Sequence, residues 1–281
     1  MDETIRPRSL TKDEIKEVQA KAREKLSDCK KEHDVIGTQI FSILSLNARV
    51  FYYPLGKAGP WGITYMWGNC SDIVTQKPFI AINTSIAEDA QVFAAAHELY
   101  HIWFDQRAES ISTSILSETN GGGVQLDDAE LKANRFAAEF LVDERILQQE
   151  MRIYSIDQKS VGIRDILQLS ALFTVPYRTI VKRLNEINII NKNDCTKLLG
   201  MTERDIEQLR KKFGIPINNG DERIIIDNLV ELAVSMYDQK RITYEKLQYL
   251  LSISSLTPND IGVTEPKTFY PLSDDELDAI L

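Results

Sequence analysis

Residues 97–101 read His-Glu-Leu-Tyr-His, a spacing that acquires chemical meaning when the segment is a helix. Four residues advance a helix by little more than one turn, so His97 and His101 project from nearly the same side and can grip one metal ion. Glu98 is turned about 100° away, where it misses the metal yet can take a proton from a metal-activated water. The flanking sequence supplies the helix. Ser85 and Glu88 make an S-x-x-E capping pattern ahead of a helix predicted over Ile86 to Phe104. On it Val92, Ala96, Leu99 and Trp103 form an apolar stripe, and Phe93, His97 and His101 run beside it, at the edge of the buried face. The plainer alternative is two half-buried histidines beside an uninvolved glutamate. It is the weaker one, because buried imidazoles need partners and Glu98 would add a charge at the core edge.

A catalytic zinc takes three protein ligands and keeps a position for water. The extended pattern that supplies a third histidine requires Gly and His where this chain has Phe104 and Arg107, and His33 is the one other histidine. A carboxylate is the better third ligand. Asp105 lies on the same helix; Glu130, with Asp127 and Asp128 as lesser candidates, lies on a second helix predicted from Asp127 to Leu141. Spacing alone leaves Glu130 open between two roles, since Asp127 and Glu130 also make a D-x-x-E capping pattern.

The rest of the chain frames these helices. Ile15, Val18, Ala22 and Leu26 recur at helix spacing within Thr11 to Leu46, predicting one or two amphipathic helices, with His33 as a surface residue. Arg49 to Tyr53, Ile63 to Trp67 and Pro78 to Asn83 are β-branched and aromatic. Pro54, Gly56, Gly59, Pro60 and the Gly68 to Asp72 turn separate them, predicting a small antiparallel sheet. Gln106 to Leu126, with Gly121 to Gly123, reads as a loop of about twenty residues, a length that in compact domains is often functional. Ile163 to Leu172 and Tyr177 to Ile187 read as a helix-turn-helix-like pair, followed by helices at Thr202 to Phe213, Glu222 to Tyr237 and Thr243 to Leu250, then an acidic tail, SDDELDAIL. The fold class is α+β: a mostly helical zincin-like peptidase domain with a small antiparallel sheet over 1–150, a helix-turn-helix-like region over 151–192 and a helical domain over 193–281.

The 281 residues carry a formal charge of -9, which disfavours a large nucleic-acid footprint and favours protein or peptide partners. Cys29, Cys70 and Cys195 are far apart and fit neither a disulfide framework nor a thiolate zinc site, as expected in a reducing compartment. The polar start, MDETIRPRSLTKDE, and the absence of a long apolar run predict a cytoplasmic protein without membrane contact. Tyr52, Tyr53, Tyr65 and Tyr100 are available as oxyanion donors, but spacing singles out none of them.

Ala95-Ala96-His97-Glu98-Leu99-Tyr100-His101, with Glu130-Leu131-Lys132-Ala133-Asn134-Arg135-Phe136-Ala137-Ala138 after the loop, resembles the ImmA/IrrE family of metallopeptidases. The resemblance extends roughly from Ala48 to Ile190 and includes the Ser170 to Pro176 turn. It implies helices packed on a small sheet, with zinc held by His97, His101 and Glu130 and with Glu98 as general base. It also implies the substrate, a helix-turn-helix transcriptional repressor encoded nearby. The family's second motif usually continues to Met-Pro, whereas this chain has Leu141-Val142-Asp143. Two other classes remain open: a regulatory protein that binds a repressor without cutting it, its metal a brace, and a DNA reader using Ile163 to Ile187.

Overall fold

Thr11 opens the first helix with a closed capping box. Its hydroxyl accepts the Glu14 amide, while the Glu14 carboxylate accepts the Thr11 amide. Helix α1 (Lys12–Asp28) buries Val18, Ala22 and Leu26 along one stripe. The structure, a computed structural model, describes residues 9–66, 77–105, 112–113, 128–217 and 219–264. Trp67, the Gly68 to Asp72 turn with Cys70, Arg107, Gly121 to Gly123, Asp127 and the acidic tail lie outside the described residues. The chain divides into two compact units, Met1–Arg223 and Ile224–Leu281.

In the first unit α1 stops at Asp28, where Lys30 turns left-handed (φ 57°), and the chain resumes through a short 3-10 turn into α2 (Ile40–Asn47). His33 therefore lies exposed in the connection rather than on a helix. Strands β1 (Arg49–Tyr53), β2 (Gly62–Tyr65) and β3 (Phe79–Asn83) form close to the predicted positions. Within the expected loop, Ser112–Thr113 form a further strand, β4, paired antiparallel with β2.

The sheet is mixed where an antiparallel one was expected. β2 pairs antiparallel with β3, but β1 pairs with β3 in parallel, from Arg49↔Phe79 to Tyr53↔Asn83. Asn83 supplies the reason. Its buried amide accepts the Leu55 and Ser85 amides and donates to the Gly56 and Pro60 carbonyls. The Pro/Gly segment thus wraps the end of β3 and carries the chain from one side of it to the other, so the breakers make a crossover rather than a hairpin.

Helix α3 (Glu88–Phe104) carries the histidine motif. The Ser85–Glu88 capping box does not form. Ser85 is drawn into the Asn83 turn, its hydroxyl accepting the Gly56 amide, and Ala87 caps the helix through its backbone alone. Residues 90–101 are all buried, so the motif sits inside a helix enclosed on every side rather than at the edge of an apolar face. Ile80 and Ile82 of β3 are fully buried in the same core.

Helix α4 (Asp128–Leu141) packs along both α3 and α1 with Ala133 and Ala137 fully buried, and its Phe136 meets the rings of Tyr100, Trp103 and Phe104. Asp143 caps α5 (Glu144–Ile153), and after α6 (Ile163–Phe173) and α7 (Tyr177–Glu186), Asn191 caps α8 (Lys192–Leu199), which leads to α9 (Glu203–Phe213). Helix α5 was not foreseen, whereas α8 falls where the chain beyond Asn191 was expected to stay helical. Helix α7 buries Tyr177, Thr179, Ile180, Val181, Arg183 and Leu184, which leaves little outward face.

The second unit centres on α10 (Leu229–Asp238) and α11 (Tyr244–Ile253), around buried Ala233, Leu247 and Leu251. Helix α10 begins at Leu229 rather than at Glu222, because Glu222 (φ 53°) and Asn228 (φ 61°) are left-handed. Among the described residues no helix is long and apolar enough to cross a membrane.

Candidate metal centre

His97 and His101 lie one turn apart on α3, and Glu130 faces them from the first turn of α4. The two Nε2 atoms are 3.2 Å apart; His97 Nε2 is 3.1 Å from Glu130 Oε2, and His101 Nε2 is 3.4 Å from Glu130 Oε1. These three residues form a group that could hold a metal ion. The aromatic packing of Phe136 fixes α4 against α3 and thereby holds Glu130 in place, so the third carboxylate arrives through tertiary packing.

The other ring nitrogen of each histidine faces an acceptor. His97 Nδ1 is 3.0 Å from Asn134 Oδ1, and His101 Nδ1 is 3.1 Å from Asp105 Oδ2. An acceptor at Nδ1 places the ring proton there and turns the Nε2 lone pair inward. Two lone pairs and a carboxylate then converge in a site where both imidazoles are essentially buried. That cluster is electron-rich and short of positive charge, and its nitrogen and oxygen donors suit zinc or a similar divalent cation.

The electrostatics point the same way. Burial works against a charge on His101, but the carboxylates of Glu130, Glu98 and Asp105 outweigh it and hold the imidazole above its ordinary pKa. Burial also opposes ionisation of Glu130, yet the neighbouring imidazoles of His101 and His97 hold it well below the usual carboxylate range.

Of the sequence candidates, the structure brings together His97, His101 and Glu130 and places Glu98 beside them, fully buried, with the Thr64 hydroxyl 2.6 Å from its Oε2. Asp105 supports His101 from behind instead of joining the group, and Asp128 is also outside it. The chain matches the peptidase family described as the IrrE N-terminal-like domain over residues 45–185, half of its length. It belongs to that family. The IrrE N-terminal-like segment runs from the end of α2 through all but the last residue of α7, and so contains the whole His97–His101–Glu130 group. No curated protein and no solved structure gives a significant match.

Asn134 is a residue of this site that spacing did not expose. It stood in plain view within the second motif, one turn after Glu130 on α4, but nothing in a one-dimensional pattern says that this amide meets an imidazole from α3. Asn134→Ala removes the acceptor that orients His97. Metal affinity should fall about 10–100-fold, measured by competition with a chromogenic chelator, while the helical circular dichroism stays native.

Where this segment departs from the Met-Pro pattern, Val142 and Asp143 form the link between α4 and α5. The Asp143 carboxylate caps α5 by accepting the Arg145 amide, and the Val142 carbonyl accepts Arg183 Nε.

Proposed function

We propose that the chain is a zinc-dependent endopeptidase of the cytoplasm whose substrate is a helix-turn-helix transcriptional repressor. The observation that carries the reading is the convergence of His97 Nε2, His101 Nε2 and the Glu130 carboxylate next to a second, separately held carboxylate on Glu98. His97, His101 and Glu130 would hold the ion. A divalent cation bound there supplies a Lewis acid that makes water a nucleophile near neutral pH and polarises the scissile carbonyl.

The chain's own groups do the rest. Asn134 and Asp105 keep the two imidazoles in the orientation that turns Nε2 inward. Glu98 takes the proton of the attacking water and delivers it to the leaving amine, so one carboxylate serves first as base and then as acid. Enclosure of α3 by the sheet and α4 keeps bulk solvent from this carboxylate, which strengthens each polar contact around it.

The repressor as substrate rests on the resemblance between the two motifs and the ImmA/IrrE pattern. The net charge of -9 agrees with a protein partner, and burial of most of α7 argues against Ile163 to Ile187 as a reader of DNA.

Purified, zinc-loaded protein incubated with the repressor encoded beside it should yield discrete fragments on a gel. Removing the metal with 1,10-phenanthroline should abolish them, and added zinc should restore them. A native chain that leaves the repressor intact, or fragments that persist after metal removal, would overturn this reading.

A further inference from the structure

Residues 62 and 64 occupy alternate positions on β2 and therefore share one face of the sheet. Their cross-strand partners are Ile82 and Ile80, both fully buried. Facing neighbours in a ladder point the same way, so Gly62 and Thr64 belong to the apolar side of the sheet, against which α3 packs. On that surface Thr64 brings a hydroxyl that is itself fully buried and needs an acceptor. The acceptor is Glu98: Thr64 Oγ1 donates to Glu98 Oε2 at 2.6 Å, a short hydroxyl–carboxylate contact.

Gly62 contributes by what it lacks. A Cβ there would fall 2.6 Å from Glu98 Oε1, 2.9 Å from its Cγ and 3.1 Å from its Cδ. The carboxylate thus lies in a slot that any side chain at position 62 would fill. One residue removes a methyl group, and the other, two positions along, supplies a donor, so the strand meets both ends of the carboxylate.

We propose that Gly62 and Thr64 form a positioning pair that sets the orientation of the Glu98 carboxylate for proton transfer. The inference rests on the reading of Glu98 as general base and adds to it the strand that aims that base. A carboxylate misplaced by an ångström loses much of its power as a proton acceptor, because transfer requires hydrogen-bond reach and alignment with the water. The contact each residue makes at the site is with the Glu98 carboxylate, so both are positioning residues that act through Glu98.

The test compares Thr64→Val, Thr64→Ser and Gly62→Ala with the native chain and with Glu98→Gln, all zinc-loaded. The probe is a quenched-fluorescent peptide that spans the bond cut in the repressor. Valine keeps the shape of threonine and loses the hydroxyl; serine keeps the hydroxyl and loses the methyl group. If Thr64 only fills space, serine should be the more damaging change. The proposal requires the reverse: Thr64→Val lowers kcat about 10–100-fold with KM and zinc content native, and Thr64→Ser recovers most of that loss. Gly62→Ala should lower kcat similarly with zinc retained, since the group that must give way is a side-chain carboxylate rather than backbone.

Should Thr64→Val fail to fold, Gly62→Ala and Thr64→Ser decide, and native kcat in Gly62→Ala overturns the pairing. Native kcat in Thr64→Val beside an inactive Glu98→Gln overturns this inference and leaves the peptidase reading standing. A native chain that cuts nothing, or a Glu98→Gln protein that cuts normally, overturns both.

Discussion

The Glu98→Gln protein should bind zinc as the native chain does and cut its substrate about a hundred- to ten-thousand-fold more slowly, the range expected when a general acid–base group is removed. The substitution isolates chemistry from structure. Glutamine has the size of glutamate, and its amide oxygen can still accept the Thr64 hydroxyl, so the buried polar contact survives. His97, His101 and Glu130 are unchanged, and metal content by elemental analysis should stay at one ion per chain. What disappears is a basic oxygen able to take a proton and return it. A regulatory protein that binds its partner without cutting, using the metal as a brace, predicts no difference between the two chains in any assay. Loss of cleavage together with loss of zinc would count against the assignment as well, because Glu98 would then be needed for the metal and not for the proton.

The parts of this molecule that were legible in the sequence are those whose partners lie within one helical turn or one repeat of a pattern. His97, Glu98 and His101 are of this kind, since their relation is fixed by the geometry of α3 alone. Most helix positions followed from apolar spacing. A capping box closes at the start of α1, where none of the described residues competes for Thr11, whereas the equivalent pattern at Ser85 failed because Asn83, two residues earlier, claims the serine for the β3 turn. Local rules compete with one another, and tertiary context chooses among them.

Glu130 shows the limit more sharply. Its spacing was equally compatible with a cap, and what makes it a candidate ligand is its approach to α3 across a helix packing surface. Thr64, Asn134 and Asp105 act on the motif from three elements, β2, α4 and the end of α3, and two of these contacts cross between elements that no periodicity relates. The parallel β1–β3 pair has the same cause, since direction within the sheet depends on where the Pro/Gly segment crosses and not on its composition.

Arg183 carries the second large expectation, in a region that reads from sequence as a mildly basic helix-turn-helix unit. It is 1% exposed. Its guanidinium grips Glu139 with two nitrogens, at 2.9 and 2.7 Å, reaches Glu186 at 2.6 Å and donates through Nε to the Val142 carbonyl at 3.0 Å. Glu139 is shared further with Arg135 and with Gln19 of α1. The network therefore ties α1, α4 and α7 together, and α4 is the helix that holds Glu130 to the histidines.

Removing one member of a buried ion pair costs more than the pair itself contributes, and here Glu139 would keep Arg135 and Gln19 but lose the guanidinium that grips both of its oxygens. Arg183→Met should lower the stability of the first unit by about 3–5 kcal/mol, read from the urea transition of tryptophan fluorescence. The probe is well placed, since all three tryptophans precede residue 104 and Trp103 packs on Phe136 and Phe140. Arg183→Met with Glu139→Leu should lose less than the two single changes added together, because the two side chains are direct partners and their shared contact is lost only once. Excess zinc should raise the midpoint of every variant that keeps Glu130 in place, since a ligand bound to the folded chain stabilises it by mass action. An Arg183→Met chain within about 0.5 kcal/mol of native would mean that the network leaves α4 no firmer than apolar packing alone does, since surface changes that touch nothing cost no more.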